Sequence, residues 1–223
     1  MSAAITITPS QEYRMAGATP VVFIVDDDIS VRESLEGLVA DAGFRPQPCA
    51  SAQDFLSHSR PEGPSCLVLD LRLPDINGLE VQQRIAAERA DMPIIFITGH
   101  GDIPTTVRAM KAGATEFLSK PFAAEDLLEA IRKALERSRA RLGEQASLQI
   151  LQSRHRALSA RERDVMELVV RGRLNKQVGG ELGISEITVK AHRGRMMRKM
   201  HAKSVPELVN MAAQLGLETG AKR

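Results

Sequence analysis

"VVFIVDDDIS" (21–30) is the stretch on which the fold turns. Five apolar residues, Val21 to Val25, give way at once to three carboxylates, Asp26, Asp27 and Asp28. A short apolar run without in/out alternation is the mark of a strand covered on both faces, as in parallel sheets. Neighbouring carboxylates repel unless a cation or a proton lies between them. The charge at the end of this run therefore needs a purpose.

Similar runs recur along the first two thirds of the chain. They are Cys66–Leu69 leading into Asp70, Ile94–Thr98, the weaker Thr115–Ser119, and Phe44–Cys49 as a poorer candidate. Amphipathic stretches lie between them. Val31, Leu35, Leu38 and Val39 repeat at helical spacing, with Ser30 and Glu33 offering a capping box at the start. "SAQDFLSHS", "LEVQQRIAAERA" and "IPTTVRAMKAGA" supply three more helices, and a fifth starts at Ala123. Five strand–helix units predict a doubly wound α/β domain over 20–137, because each parallel crossover is right-handed and needs its own helix.

In such sheets ligands bind beyond the carboxyl ends of the strands, where the strand order reverses. With order 2-1-3-4-5, Asp26 and Asp27 after the first strand meet Asp70 after the third. Thr98 ends the fourth and Lys120 the fifth. Carboxylates, a hydroxyl and one lysine suit a hard cation together with an anion. Mg²⁺ needs only one or two carboxylates and keeps its waters. One carboxylate is left as a nucleophile for phosphoryl transfer.

Residues 21–137 resemble a two-component receiver domain, with "VDDD", "LVLDLRLPDINGLE", "IIFITGHGD" and "EFLSKPF" matching in order and spacing. The resemblance implies that Asp70 is the phosphoacceptor, and that Asp26, Asp27 and Asp70 hold Mg²⁺ with the Arg72 backbone carbonyl. It makes Lys120 the counter-ion, followed by a cis Pro121, and makes Thr98 and Phe117 a switch pair. A phosphoryl group would add roughly −1.5 to −2 charges there. The resemblance further implies a sensor histidine kinase as donor and a homodimer formed on phosphorylation. Phe117 also reads as plain core, Asp28 as a solvated loop carboxylate or a helix N-terminal charge, and His100 as a loop residue.

Charge divides the chain. Residues 1–149 carry 15 Lys+Arg against 21 Asp+Glu, and residues 150–223 carry 15 against 7, so the second part is a candidate for a polyanionic partner. Between the modules, "LLEAIRKALERSRARLGEQASLQILQSRHRAL" contains no proline. It reads as the fifth helix extended into a linker helix over 138–156, with a short coiled coil possible and Gly143 a weak point.

The remainder, 157–223, is all-α. "LSARERDVMELVVRG" opens with a capping box at Ser159 and Glu162, and "NKQVGGELGISEITVKAHRGRMMRKM" has helix–short turn–helix form around Gly183. "SVPELVNMAAQLG" gives a fourth helix, capped by Ser204 and Glu207. With Val189, Met196 and Met200 as the buried stripe, the opposite face holds Ile187, Lys190, Ala191, Gly194 and Arg198, with Thr188 and Arg195 on a flank.

This block is similar to the LuxR/FixJ-type helix-turn-helix domains. The resemblance makes promoter DNA the partner, with RNA polymerase beyond it. Lys190 suits guanine O6/N7 and Ala191 a thymine methyl, while Thr188, Lys176, Arg193 and Arg195 suit phosphates. Gly194 departs from the larger, polar residue frequent there, and Gly179 and Gly180 sit oddly inside a short helix.

Composition removes other classes. At 43% hydrophobic and 26% charged the chain can bury a core. The two cysteines, Cys49 and Cys66, lack CxxC spacing and read as reduced, in keeping with the cytoplasm. No apolar run suits a membrane span. Residues 1–19 lack the pattern of a signal peptide and read as a loose tail. An aspartyl-phosphate phosphatase would carry its nucleophile on the first strand in a D-x-D motif, whereas here the best nucleophile is on the third; the chain is expected not to be an enzyme. A DNA-binding regulator with a vestigial, phosphorylation-independent receiver is the runner-up.

Overall fold

The computed structural model describes residues 19–74, 76–89, 92–99 and 103–217. The tail before Thr19 and the loop residue His100 lie outside them. The chain divides into two compact units, Met1–Leu142 and Gly143–Arg223.

The first unit is built on five parallel strands: β1 (Val21–Val25), β2 (Arg45–Cys49), β3 (Ser65–Asp70), β4 (Ile94–Thr98) and β5 (Glu116–Ser119). Their spatial order is β2-β1-β3-β4-β5, the order on which the meeting of Asp26, Asp27 and Asp70 depends. Helices α1 (Ile29–Asp41), α2 (Ala52–Ser57), α3 (Gly78–Glu88), α4 (Ile103–Lys111) and α5 (Ala124–Arg156) follow the strands in turn. The continuous apolar runs now have a cause. Phe23, Val25, Leu67, Leu69 and Phe96 face one core with Phe55, Val81 and Ile85. Val22, Ile24, Cys66, Val68, Ile95 and Ile97 face the other with Leu35, Val39, Leu127, Ile131 and Leu135. Alternate residues point to opposite faces, and both faces are covered.

β2 is the weak strand because it reads RPQPC. Pro46 and Pro48 cannot donate to a ladder, which confines them to an edge. Here β2 pairs with β1 alone.

One local expectation changes at the start of α1. Ser30 does not cap α1: the helix starts at Ile29, and the N-cap is Asp28, whose carboxylate accepts from the amides of Ser30 and Val31 at 2.8 and 3.3 Å. Asp28 is the last residue with extended backbone, so its side chain is the one that reaches the orphan amides. On α5 the buried stripe is Leu127, Ala130, Ile131, Ala134 and Leu135, with Leu128 at its edge. Ser138 continues the stripe. It is fully buried, and its hydroxyl accepts the Ser65 amide at 3.1 Å, supplying a partner at the start of β3. α5 runs unbroken through Gly143 for 33 residues.

The second unit contains α6 (Ala160–Val170), α7 (Asn175–Leu182), α8 (Glu186–Met200) and α9 (Val205–Gln214). Its core is Leu151, Val165, Met166, Val169, Val178, Val189, Met196, Met200 and Leu208. The capping box at α6 is complete, with Ser159 N donating to Glu162 Oε2 at 2.9 Å and Glu162 N to Ser159 Oγ at 3.3 Å. At α9 Ser204 caps, but Glu207 accepts from the Lys203 amide.

Gly183 ends α7 at φ 66°, a conformation glycine takes without Cβ strain. The two glycines inside α7 separate. A Cβ on Gly179 would lie 2.8 Å from the carbonyl oxygen of Ile184, so the turn packs against it, whereas Gly180 has nothing within 4 Å.

Candidate phosphoryl site and nucleic-acid interface

The acidic corner is assembled by backbone geometry. β1 and β3 lie side by side with Val25 opposite Leu69, so the residues that follow, Asp26 and Asp70, emerge together. One carboxylate oxygen from each of Asp26, Asp27 and Asp70 lies within 4.8 Å of the others. Asp26 is 1% exposed and Asp70 9%. Lys120 reaches across from the end of β5, its Nζ 2.6 Å from Asp26 Oδ2 and 2.7 Å from Asp70 Oδ2. Three oxygen donors converging on one point, with one ammonium at their side, are a donor set for a hard divalent cation.

Burial pushes the Asp26 carboxyl above its ordinary value, outweighing the hydrogen bonds from Lys120 and the Asp28 amide that pull it down. Burial works against the Lys120 charge too, but the hydrogen bonds to Asp26 and Asp70 overcome it and raise the pKa. The ammonium therefore keeps its proton wherever both carboxylates are ionised.

Several supports of this corner are not apparent in the motifs. Arg32 on α1 donates from Nη1 to the backbone carbonyls of Asp26 at 2.6 Å and Asp27 at 2.9 Å, bracing the turn that carries both acids. The Asp70 carboxylate accepts from the Arg72 amide at 3.0 Å, which fixes its rotamer. Gly78 brings α3 against the site: a Cβ there would meet Asp70 O and the Phe96 ring at 3.0 Å and Leu71 Cα at 3.1 Å. The glycine itself was the only signal in the sequence, and a single glycine does not announce a crossing.

Thr98 ends β4 buried, and its carbonyl accepts the Lys120 amide at 2.7 Å, joining two of the expected site residues directly. The Lys120–Pro121 bond is cis. Phe117, opposite Phe96 in the register, is half-buried against the core with ring centroids 6.3 Å apart. The core packing expected of it is thus present.

In the second unit, α8 presents the face its periodicity predicts. Val189, Met196 and Met200 are fully buried, while Ile187 is 81% exposed and Lys190, Ala191 and Arg198 are also exposed. Gly194 is half-buried, with nothing within 4 Å of its Cβ direction. Lys190 pairs with Glu186 at 3.3 Å on the surface, an interaction too solvated to hold it from another partner. Lys176 is exposed near the start of α7.

Three of the residues suited to phosphates already have work inside the unit. Thr188 shares a hydrogen bond with the Ser185 hydroxyl at 2.8 Å in the N-cap of α8. Arg193 donates to Asn175 Oδ1 at 2.9 Å, tying α8 to α7. Arg195 lies 3.5 Å from Glu162 Oε1. Glu162 is the hub that sequence reasoning saw only as a cap. It is 2% exposed and accepts from Lys199 Nζ at 2.6 Å, and that bond, with the Ser159 amide next, lowers its pKa to about 2.

Two family models match the chain. Residues 22–132 match the model of the response regulator receiver domain, and residues 156–212 that of the bacterial regulatory proteins of the luxR family. Nodulation protein W of Bradyrhizobium diazoefficiens is 49% identical over 202 residues, covering 91% of this chain and 89% of that protein. The transcriptional regulatory protein FixJ of Rhizobium meliloti is 42% identical over 191 residues, 86% of this chain and 94% of FixJ. Among solved structures, the response regulator StyR is similar with a TM-score of 0.78 at 47% identity, covering 88% of this chain and 100% of that one.

Proposed function

We infer that this chain, which belongs to the response regulators carrying a receiver domain and a LuxR-type DNA-binding domain, is switched by phosphorylation of Asp70. The observation that carries the reading is the Lys120 ammonium bridging Asp26 and Asp70 at the rim of a three-carboxylate cluster. Asp70 is the nucleophile. A carboxylate oxygen attacks the phosphorus of a phosphohistidine on a sensor histidine kinase, the P–N bond breaks as the P–O bond forms, and the imidazole leaves with the electron pair. Asp26, Asp27, Asp70 and the Arg72 carbonyl would hold Mg²⁺, which when bound supplies positive charge against the phosphoryl oxygens. Lys120 exchanges its bond to Asp70 for one to the phosphoryl group, and the Thr98 hydroxyl donates to another oxygen. Phe117, packed beside Phe96, responds as Thr98 turns toward the phosphoryl group. A local change of charge thus biases the β4–β5 face.

Phosphorylation promotes a homodimer, and the paired second units bind two half-sites in promoter DNA, from which they act on RNA polymerase. Lys190 and Ala191 face base edges, with Ile187, Gly194 and Arg198 on the same surface. Lys176, Thr188, Arg193 and Arg195 hold phosphates through the atoms not engaged within the unit. The working parts are a receiver over 20–137, a linker helix over 138–156 and a DNA-binding domain over 157–223, with 1–19 outside them. The protein is a cytoplasmic regulator and not an enzyme; among the described residues no helix is long and apolar enough to cross a membrane.

Intact-mass analysis after incubation with acetyl phosphate and Mg²⁺ tests the reading. One added phosphoryl group is expected on the wild type and none on Asp70→Asn. A variant that still gains the group would place the acceptor elsewhere.

A further inference from the structure

A cavity of about 170 Å³ opens at the end of the sheet remote from Asp70, beside the start of β4. Gln82 of α3 and Arg89 just beyond it both line this cavity. They are 2% and 7% exposed, and each has one atom without a hydrogen-bond partner among the described residues, Gln82 Oε1 and Arg89 Nη1. Neither side chain is loose. Gln82 Nε2 donates to Ala109 O at 3.1 Å, and Arg89 Nη2 to His58 O at 2.6 Å with its guanidinium 5.0 Å above the Phe55 ring. Gln82 Oε1 and Arg89 Nη1 are thus an acceptor and a charged donor held in place without a partner among the described residues, a costly arrangement for buried groups.

The remaining lining states what would satisfy them. Arg141 adds a second guanidinium, and Ile85, Met92 and Pro93 supply apolar wall. An anion belongs against Arg89, a donor against Gln82 Oε1, and a short apolar body between. A water occupies roughly 30 Å³ of liquid, and pockets for drug-sized molecules start at roughly 300 Å³, so the cavity suits a compound of a few carbons. The geometry points to a binding site for a small hydroxycarboxylate: carboxylate on Arg89, hydroxyl on Gln82, carbon chain on the apolar wall. This site is separate from the acidic corner and does not depend on phosphorylation.

Isothermal titration of the full chain with sodium 3-hydroxybutyrate tests it, with 3-hydroxybutyramide and inorganic phosphate as comparisons. Saturable one-to-one binding is expected, weakened at least about tenfold, or about 1.4 kcal/mol, in the neutral amide and in phosphate. Gln82→Glu puts a carboxylate on the cavity lining, which repels the acid, and Ala112→Leu adds bulk at the same lining. Each should weaken binding by a similar factor while still accepting a phosphoryl group from acetyl phosphate, which shows the fold intact. No saturable heat with 3-hydroxybutyrate would mean the cavity holds water alone and would overturn the inference. So would undiminished binding in both variants, or phosphate binding as tightly as the acid.

Discussion

Replacing Glu162 by Gln isolates the charge of the hub from its shape. The amide keeps an oxygen for the Ser159 N–H and fills the same space, so the cap of α6 survives while the ion pairs to Lys199 at 2.6 Å and Arg195 at 3.5 Å are lost. A carboxylate held at about 2 against an ordinary value of 4.5 is favoured in the folded state by roughly 3 kcal/mol at neutral pH. The Lys199 and Arg195 side chains are 41% and 48% exposed, and screening by solvent reduces the figure to about 2 kcal/mol. For a domain of this size that is a fall in Tm of roughly 8–16 °C. Because the folded pKa is depressed, the stabilisation is complete above the unfolded value near 4.5 and disappears as pH falls toward 2. Differential scanning calorimetry of the full chain, with hydrogen exchange assigning each transition to its unit, should show the second unit's transition displaced and the first unit's unmoved. The gap between variant and wild type should close below about pH 4.5. Equal Tm values at pH 7, or a gap that persists into acid, would refute the reasoning.

Gly179→Ala and Gly180→Ala should have opposite signs. The first drives a Cβ against Ile184 O and should destabilise the second unit, while the second enters open space on a helix and should stabilise it by about 1 kcal/mol; chemical unfolding of both distinguishes them. Arg32→Ala removes the brace on the Asp26 and Asp27 carbonyls and should weaken Mg²⁺ binding about tenfold, measured by titration of the unphosphorylated protein. Lys190→Ala should cost about 1–3 kcal/mol in DNA binding and relax preference at one base position, whereas loss of a phosphate contact would weaken all sequences alike. Affinity for DNA should fall steeply with salt as counterions are released, and a flat response would contradict the assignment of α8.

The parts legible in the sequence were those set by local pattern. Val21–Val25 and Ile94–Thr98 announce strands covered on both faces, and the polar residues that end them fall at one edge once the strand order is known. The buried stripe of α8 followed from Val189, Met196 and Met200 by helical period alone, and so did its exposed face.

What escaped reading depends on contacts between distant segments, or on a shift of one or two residues. Ser30 and Glu33 match a capping box as well as Ser159 and Glu162 do, but Asp28 lies nearer the true start of α1 and reaches the free amides first. Ser138 is a polar residue in an apolar stripe, and no local pattern explains it because its partner, the Ser65 amide, is 73 residues away. Lys199 lies 37 residues beyond Glu162, so only the packing of α8 on α6 shows that the cap residue is also the anchor of two cations. Gly78 and Gly179 are needed, and Gly180 has open space around it, a difference set by which backbone passes within 3 Å or so.

Size-exclusion chromatography with light scattering, with and without Mg²⁺ and a beryllofluoride mimic of the phosphoryl group, addresses the central claim most directly. The wild type should pass from monomer to dimer only when both are present, and Asp70→Asn should remain a monomer throughout. A dimer that forms equally in Asp70→Asn, or a wild type unmoved by the mimic, would contradict a switch operated at Asp70.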